Sequence, residues 1–262
     1  MAVIVITGST RGIGLGLARA FVERGHNVVI SSRSATAVAQ TVTAFDSTGP
    51  DRVAGFACDI ADSTQVTQLW EHAKAAFGGV DIWINNAGMS GPRRNVADLD
   101  DADIAAVVAT NLIGTLNGMR TALRGMLVQG HGKVFNFEGF GSDGMSAPGL
   151  SVYGATKSAI TYLTKSTNKE IKGSPVLLGT ISPGIVVTDL LDDARDADPA
   201  QWARTKRFYN ILGDRVETVA PFIADKVLAA DRPGTAIRWL TRRRAIWRFL
   251  TARFVRRMVM PD

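Results

Sequence analysis

A chain of 262 residues, 46% hydrophobic and 21% charged, is long enough to bury a large core as one α/β unit, and its single cysteine, Cys58, excludes an internal disulfide. No apolar run reaches the ~18 residues of a spanning helix, and the N-terminus lacks the basic start and apolar core of a signal peptide, so a reducing cytoplasm is the expected compartment. The formal net charge of +6 is unevenly placed: residues 235–262 hold eight arginines and one acid, a net of +7, which leaves −1 for the rest.

Residues 3–6, Val-Ile-Val-Ile, predict a short buried strand, and Leu15, Leu17, Ala18, Phe21 and Val22 then recur with helical period. Between them lies Thr7-Gly8-Ser9-Thr10-Arg11-Gly12-Ile13-Gly14. Gly8 allows the tight turn, Gly12 lets backbone approach a pyrophosphate, and Gly14 lets the helix pack closely on the strand. Unpaired N–H groups at the helix start complete a phosphate cradle. Strand candidates run over 2–7, 27–31, 53–57, 80–84, 132–137 and 176–182, with helical patterns between them. This alternation predicts a Rossmann-type α/β fold, a doubly wound parallel sheet of about seven strands with helices on both faces.

The second strand ends in Ser31-Ser32-Arg33-Ser34, with Ser32 where an NAD site places a carboxylate on the ribose 2′-hydroxyl. A missing carboxylate with a cation beside it suits a 2′-phosphate, so NADP(H) is favoured over NAD(H). Cys58, at the end of the third strand, reads as core. Farther on, Tyr153 and Lys157 stand four apart in Ser151-Val152-Tyr153-Gly154-Ala155-Thr156-Lys157. On a helix that spacing puts phenol and ammonium on one face, where the cation favours phenolate and fits tyrosine for acid–base work at an alcohol or carbonyl. Taken alone, the pair also reads as a half-buried aromatic beside a solvated lysine.

The ordered signals Thr7-Gly8-x3-Gly12-Ile13-Gly14, Asp59-Ile60, Asn85-Asn86-Ala87-Gly88, Asn111, Tyr153-x3-Lys157 and Pro183-Gly184 with Thr188 resemble the short-chain dehydrogenase/reductase family, from about residue 2 to about 235. The resemblance implies hydride transfer between nicotinamide and a carbonyl or alcohol carbon, with Tyr153 exchanging the proton at oxygen. Lys157 would lower the tyrosine pKa and bind the nicotinamide ribose, and Asn111 would hold a water in the proton relay. Gly8 through Gly14, including Ser9, Thr10 and Ile13, would cradle the cofactor, with Arg11 and Arg33 beside Ser32 turned to the 2′-phosphate. Asp59 would accept the adenine amino group with Ile60 beside the ring. Asn86, Ala87 and Gly88 would line the cofactor through backbone, while Pro183, Gly184 and Thr188 close over the nicotinamide. No metal is implied, and a homodimer or homotetramer is usual in the family.

One catalytic part is displaced. The family carries a serine pair at the end of the fifth strand, the second of which hydrogen-bonds the substrate oxygen. Here the stretch reads Lys133-Val134-Phe135-Asn136-Phe137-Glu138-Gly139-Phe140-Gly141-Ser142-Asp143-Gly144. Counting from Asn136 puts Glu138 and Gly139 at the serine positions; counting back from Tyr153 lands on Phe140. Ser142 is the nearest hydroxyl, and glycines at 139, 141 and 144 let the loop bend to bring it to the substrate. The alternatives are a structural loop serine with Tyr153 acting unaided, or a chain that has lost catalysis. Phe-Asn-Phe-Glu-Gly-x-Gly-Ser is similar to this loop in the chlorophyll b reductase subgroup, which favours a serviceable Ser142.

Between about 189 and 214, Asp189, Asp192, Asp193, Asp196 and Asp198 precede Trp202, Phe208, Tyr209, Ile211 and Leu212. This reads either as a helical flap with an apolar underside for a bulky lipophilic substrate, or as aromatics packed on the body. Met89, Ser90 and Met145 are further pocket candidates. The chain divides into a catalytic domain, 1–235, and a basic amphipathic helical extension, 236–262, in which Trp239, Leu240, Ile246, Trp247, Leu250, Phe254 and Met258 recur among arginines. Such a helix suits peripheral contact with a membrane surface or packing on another subunit. Nothing resembles a nucleic-acid-binding motif, so no nucleic-acid partner is expected. Two functions remain open: an NADP(H)-dependent carbonyl reductase or alcohol dehydrogenase, and a catalytically weak NADP-binding protein docked by its extension.

Overall fold

The structure is a computed structural model and describes residues 1–46, 50–188, 199–255 and 257–260, with backbone alone at 50 and 199–204. Successive residues of a strand point to opposite faces, and the central strands are apolar on both. In β1 (Val3–Thr7) Ile4 and Ile6 enter one core cluster and Val5 the other, and in β2 (Asn27–Ser32) Val28 and Ile30 part from Val29 in the same way. Two apolar faces require two layers of helix. The sheet continues with β3 (Val53–Ala57), β4 (Ile82–Asn85), β5 (Gly132–Phe137) and β6 (Val176–Ser182). A short parallel pair, β7 (Val186–Val187) with β8 (Asp214–Arg215), stands apart from it.

The helices are α1 (Gly12–Glu23), α2 (Ala35–Thr43), α3 (Ser63–Phe77), α4 (Asp101–Val108), α5 (Gly114–Gln129), α6 (Ser151–Glu170), α7 (Pro199–Leu212), α8 (Val216–Ala229) and α9 (Arg242–Thr251). Leu17 and Phe21 of α1 pack with Val219, Ile223 and Val227 of α8 on one side; Leu69 and Trp70 of α3 pack with Met119 and Met126 of α5 on the other. The six strands expected from the sequence all form, the fourth beginning two residues later than its apolar run.

The seventh strand, β9 (Ala236–Arg238), comes from residues assigned to the extension. It pairs parallel with β6, completing the order β3-β2-β1-β4-β5-β6-β9. Trp239 follows it into the core, edge-on to Phe222 with ring centroids 5.0 Å apart. The sheet therefore runs past 235, and a strand of three residues is too short to announce itself by periodicity. Strand order reverses between β1 and β4, and the crevice beyond their C-terminal ends is where open parallel sheets hold ligands.

Candidate active site

The turn after β1 occupies that crevice. Gly8 (φ +65°) and Gly12 (φ +54°) take left-handed conformations that glycine alone adopts freely, and a Cβ on Gly8 would lie 2.8 Å from Ala87 Cα. A Cβ on Gly14 would meet the Gly8 carbonyl oxygen at 2.4 Å. The loop is latched to the turn after β4: Asn86 Nδ2 donates to the Thr7 and Gly8 carbonyls, each at 2.9 Å, and Thr7 Oγ1 accepts the N–H groups of Asn86 and Ala87 at 3.1 Å. The first turn of α1 contains no acid, and its N-cap residue Arg11 makes no side-chain capping bond, so backbone N–H groups face the crevice. This cradle fits a dinucleotide pyrophosphate.

The rest of the cofactor set is placed unevenly. Ser9 is buried, accepting the Ser31 N–H at 2.9 Å, and so locks β1 to β2, while Thr10 is half-buried at the loop. Ser32 closes β2 with exposed Arg33 beside it and no carboxylate at either position. Asp59 follows β3 and accepts the Ala61 N–H at 2.9 Å. Ile60 is 7% exposed and packs into the core where Gly114 leaves room for it. Pro183 is buried, Gly184 (φ +72°) lies against Leu240, and Thr188 stands over the glycine loop, 3.3 Å from where a Gly12 Cβ would be.

A buried polar chain fixes α6 against the sheet. Trp83 Nε1 donates to Asn85 Oδ1 at 2.8 Å, Asn85 Nδ2 to Asn136 Oδ1 at 2.8 Å, and Asn136 Nδ2 to Thr164 Oγ1 at 2.9 Å. Buried polar groups so paired hold β4, β5 and α6 in one register. Two turns before Thr164, Lys157 is 5% exposed and donates from Nζ to the Phe137 carbonyl at 3.2 Å. Its ammonium stands 5.8 Å from the centre of the Tyr153 ring. Lys157 Nζ and Asn111 Oδ1 both approach Gly88, at 3.6 and 3.2 Å from the position of a Cβ there.

The expected depression of the tyrosine pKa is not found. Burial pushes the Tyr153 phenol up to about 12, and burial brings Lys157 down to about 8 although the Glu138 carboxylate raises it. Desolvation is the leading cause of both shifts. Asn111 is fully buried in a π-helical turn, Ala109–Ile113, between α4 and α5. Its side chain is committed to protein: Oδ1 accepts the Met89 N–H and Nδ2 donates to the Met89 carbonyl, both at 2.9 Å, and to Thr156 Oγ1 at 3.2 Å. These bonds tie it to the turn after β4 and to α6.

The Ser142 hydroxyl is bonded to backbone on both sides: it donates to the Lys157 carbonyl at 3.2 Å and accepts the Gly139 N–H at 3.1 Å. Ser158 adds a second strap from α6 to the Gly141 carbonyl at 2.6 Å. The glycines let the loop lie against α6, since a Cβ on Gly141 would be 2.6 Å from Gly154 Cα. The position facing the phenol is Gly139, where a Cβ would fall 2.4 Å from Tyr153 Oη. Glu138, 8% exposed, accepts from Thr161 Oγ1 at 3.4 Å. Of the two counts, the one from the fifth strand gives the residue that lies beside the phenol, Gly139.

A pocket beside Tyr153 is lined by Ser90, Pro92, Val107, Gly149 and Val152; Met145, proposed for it, is exposed and not among its lining residues. On α7, Tyr209 and Leu212 are buried and Arg93 donates to Tyr209 Oη at 3.1 Å, so these residues pack on the body. Asp189, Asp192, Asp193, Asp196 and Asp198 lie outside the described residues, as does the side chain of Trp202. Sequence reasoning missed Asp214, 5% exposed, which accepts from Trp239 Nε1 at 2.6 Å, Arg248 at 2.7 and 3.1 Å, and Arg257 at 2.6 Å. Burial would raise this carboxyl, but those hydrogen bonds hold it below the usual range. Its partners lie 25 to 43 residues away, a separation at which no local pattern operates.

A dinucleotide cradle at a topological switch point, with a Tyr–Lys helix beside it, defines a nicotinamide-dependent oxidoreductase. The family described as short chain dehydrogenase matches residues 2–199, and the chain belongs to that family. A chloroplastic chlorophyll(ide) b reductase of Arabidopsis thaliana is 38% identical over 247 residues, 91% of this chain and 70% of that protein. A probable chlorophyll(ide) b reductase of Oryza sativa subsp. japonica is 37% identical over 97% of this chain, which spans 52% of its length. The NADP-dependent (R)-specific alcohol dehydrogenase of Lentilactobacillus kefiri is 31% identical over 81% of this chain and 84% of its own. The solved structure of a closed serine dehydrogenase complexed with NADP+ shares the fold, with a TM-score of 0.78 and 21% identity over 91% of this chain and 94% of that one.

Proposed function

We propose that this protein is an NADP(H)-dependent carbonyl reductase for a bulky lipophilic substrate, with Tyr153 as the proton donor. The observation that carries this reading is the junction of half-buried Tyr153 and Gly139 with buried Lys157 beside the turn at Gly88. When bound, the nicotinamide supplies the hydride. Tyr153, held protonated by its surroundings, gives its phenolic proton to the substrate oxygen, and the charged Lys157 stabilises the phenolate left behind. The exposed cation Arg33 at a site without a carboxylate favours the 2′-phosphate, in line with the NADP dependence of the kefiri relative. The two reductases of chlorophyll(ide) b suggest a large macrocyclic carbonyl compound. Exposed Ile113, Leu116 and Tyr162 on and before α5 and on α6 suit pairing with a second copy, as a homodimer or homotetramer.

The test is NADPH consumption over a panel of ketones and aldehydes by wild type and Tyr153→Phe. Loss of roughly 10² to 10⁴ in kcat with unchanged NADPH binding is expected. Activity that survives in the variant refutes the assignment. The second reading, a weakly catalytic NADP-binding protein, is favoured by the glycine at 139 and the committed Ser142 hydroxyl, and would appear as NADPH binding without turnover on the whole panel.

A further inference from the structure

The basic extension has two sides with opposite fates. On the inner side Arg244 stacks 4.0 Å from the Trp239 ring centre and donates to the Trp239 carbonyl, while Arg248 and Arg257 are tied to Asp214 and to the carbonyls of Leu212 and Ile211. Those arginines belong to the fold. On the outer side Ile246, Trp247, Leu250, Phe254 and Met258 are each at least 60% exposed, and Arg242, Arg243 and Arg253 are exposed among them. Residues 246 and 250 stand one turn apart on α9 with 247 on the same side, and Phe254 lies in the turn that follows. Large apolar side chains left together in water mark a contact surface.

We propose that this outer face docks on an anionic lipid bilayer and brings the substrate mouth to the membrane surface. The sequence has no acid between Asp231 and Asp262, so two copies of the face would meet with like charges, whereas lipid phosphates complement it. A ten-residue helix with a polar inner side lies in the interface rather than across it, and no helix among the described residues is long and apolar enough to span. The face is joined to the pocket by packed groups: Phe249 meets Phe208 with ring centroids 6.1 Å apart, and the next residue, Tyr209, is bonded to Arg93, which follows the pocket residues Ser90 and Pro92. Docking stands on the surface alone; delivery of substrate from the bilayer rests on the carbonyl reductase reading.

The test uses the full chain in cosedimentation with vesicles of phosphatidylcholine, alone or mixed with phosphatidylglycerol. Wild type is expected on the mixed vesicles and not on the neutral ones, with binding weakened by salt. Each exposed arginine is worth about fivefold, so Arg242→Glu with Arg243→Glu and Arg253→Glu lowers binding by ~10² or more. Trp247→Ser with Leu250→Ser and Phe254→Ser lowers it at least about tenfold while turnover of a water-soluble carbonyl compound is unchanged. Absent wild-type binding, a serine variant that binds as well as wild type, or a serine variant whose solution mass falls to that of a smaller oligomer overturns docking. For delivery, reduction of a vesicle-dissolved ketone should fall in the serine variant while the soluble substrate does not; equal rates on the vesicle-dissolved ketone overturn it. Vesicle binding with no turnover of any carbonyl refutes the enzymatic reading and leaves docking standing.

Discussion

Substituting Gly139→Ser puts the family's usual residue back beside the tyrosine, and the geometry predicts that it harms the enzyme. The new Cβ falls 2.4 Å from Tyr153 Oη, and ordinary contact begins at 3.4 Å, so the phenol must retreat by about 1 Å. Lys157 is crowded as well, its Cγ and Cε each 3.2 Å from the same point. A displacement of that size at a catalytic group costs roughly 10² in rate. NADPH turnover on a carbonyl substrate should therefore show kcat lowered about 10²-fold, with NADPH affinity by fluorescence titration changed less than ~3-fold. Gly139→Ala should lose as much, since the collision is made by Cβ and not by the hydroxyl. A serine variant as fast as wild type, or faster, refutes the reasoning: Tyr153 would then accommodate the side chain, and the hydroxyl would complete the site.

Glu138→Gln removes the charge that raises the Lys157 pKa, so the lysine should deprotonate at lower pH and the basic limb of the pH–rate profile should move below that of wild type; an unmoved limb contradicts this role. For Lys157 itself the folded value of about 8 lies below the unfolded ~10.5, so the unfolded state binds more protons between them and urea stability should rise with pH across that window, an effect lost in Lys157→Met. Arg33→Asp should weaken NADPH binding by roughly 10- to 100-fold while changing NADH much less; equal changes would remove Arg33 from the 2′-phosphate site. Asp214→Ala strands Arg248 and Arg257, whose side chains are 13% and 27% exposed, and should cost about 3 kcal/mol of unfolding free energy in urea; an unaltered midpoint would show that the extension is held by other contacts. In wild type the depressed carboxyl stabilises above its unfolded pKa, and that contribution is lost as pH falls through the lower folded value.

Much of the architecture was legible because its causes are local. A buried parallel strand must be apolar on both faces, a left-handed turn needs glycine, and a helical i, i+4 pair shares a face, so the strands, the Gly8–Gly14 cradle and the Tyr153–Lys157 pair stand in the sequence itself. Counting from β5 also gave Gly139, the residue that faces the phenol, because strand register fixes which residue follows the sheet. The β9 strand was not legible, being too short for a period, and Trp239 read as part of the amphipathic extension because its spacing fits the helix it does not join.

The chemistry of the site turned on facts of another kind. Glycines around Ser142 permit many loop paths, and only the closing of that loop on α6 shows the hydroxyl spent on Lys157 and Gly139. A lysine four residues from a tyrosine predicts a lowered phenol pKa, but the sign depends on how much water the fold removes, and here removal wins. The eight arginines of the tail are alike in sequence, and packing alone decides which neutralise Asp214 and which face outward. Composition and period thus determined the layers, the cradle and the candidate acid. Tertiary structure decided hydroxyl direction, desolvation and long-range pairing, because each is set by atoms distant in the chain that meet only when it is folded.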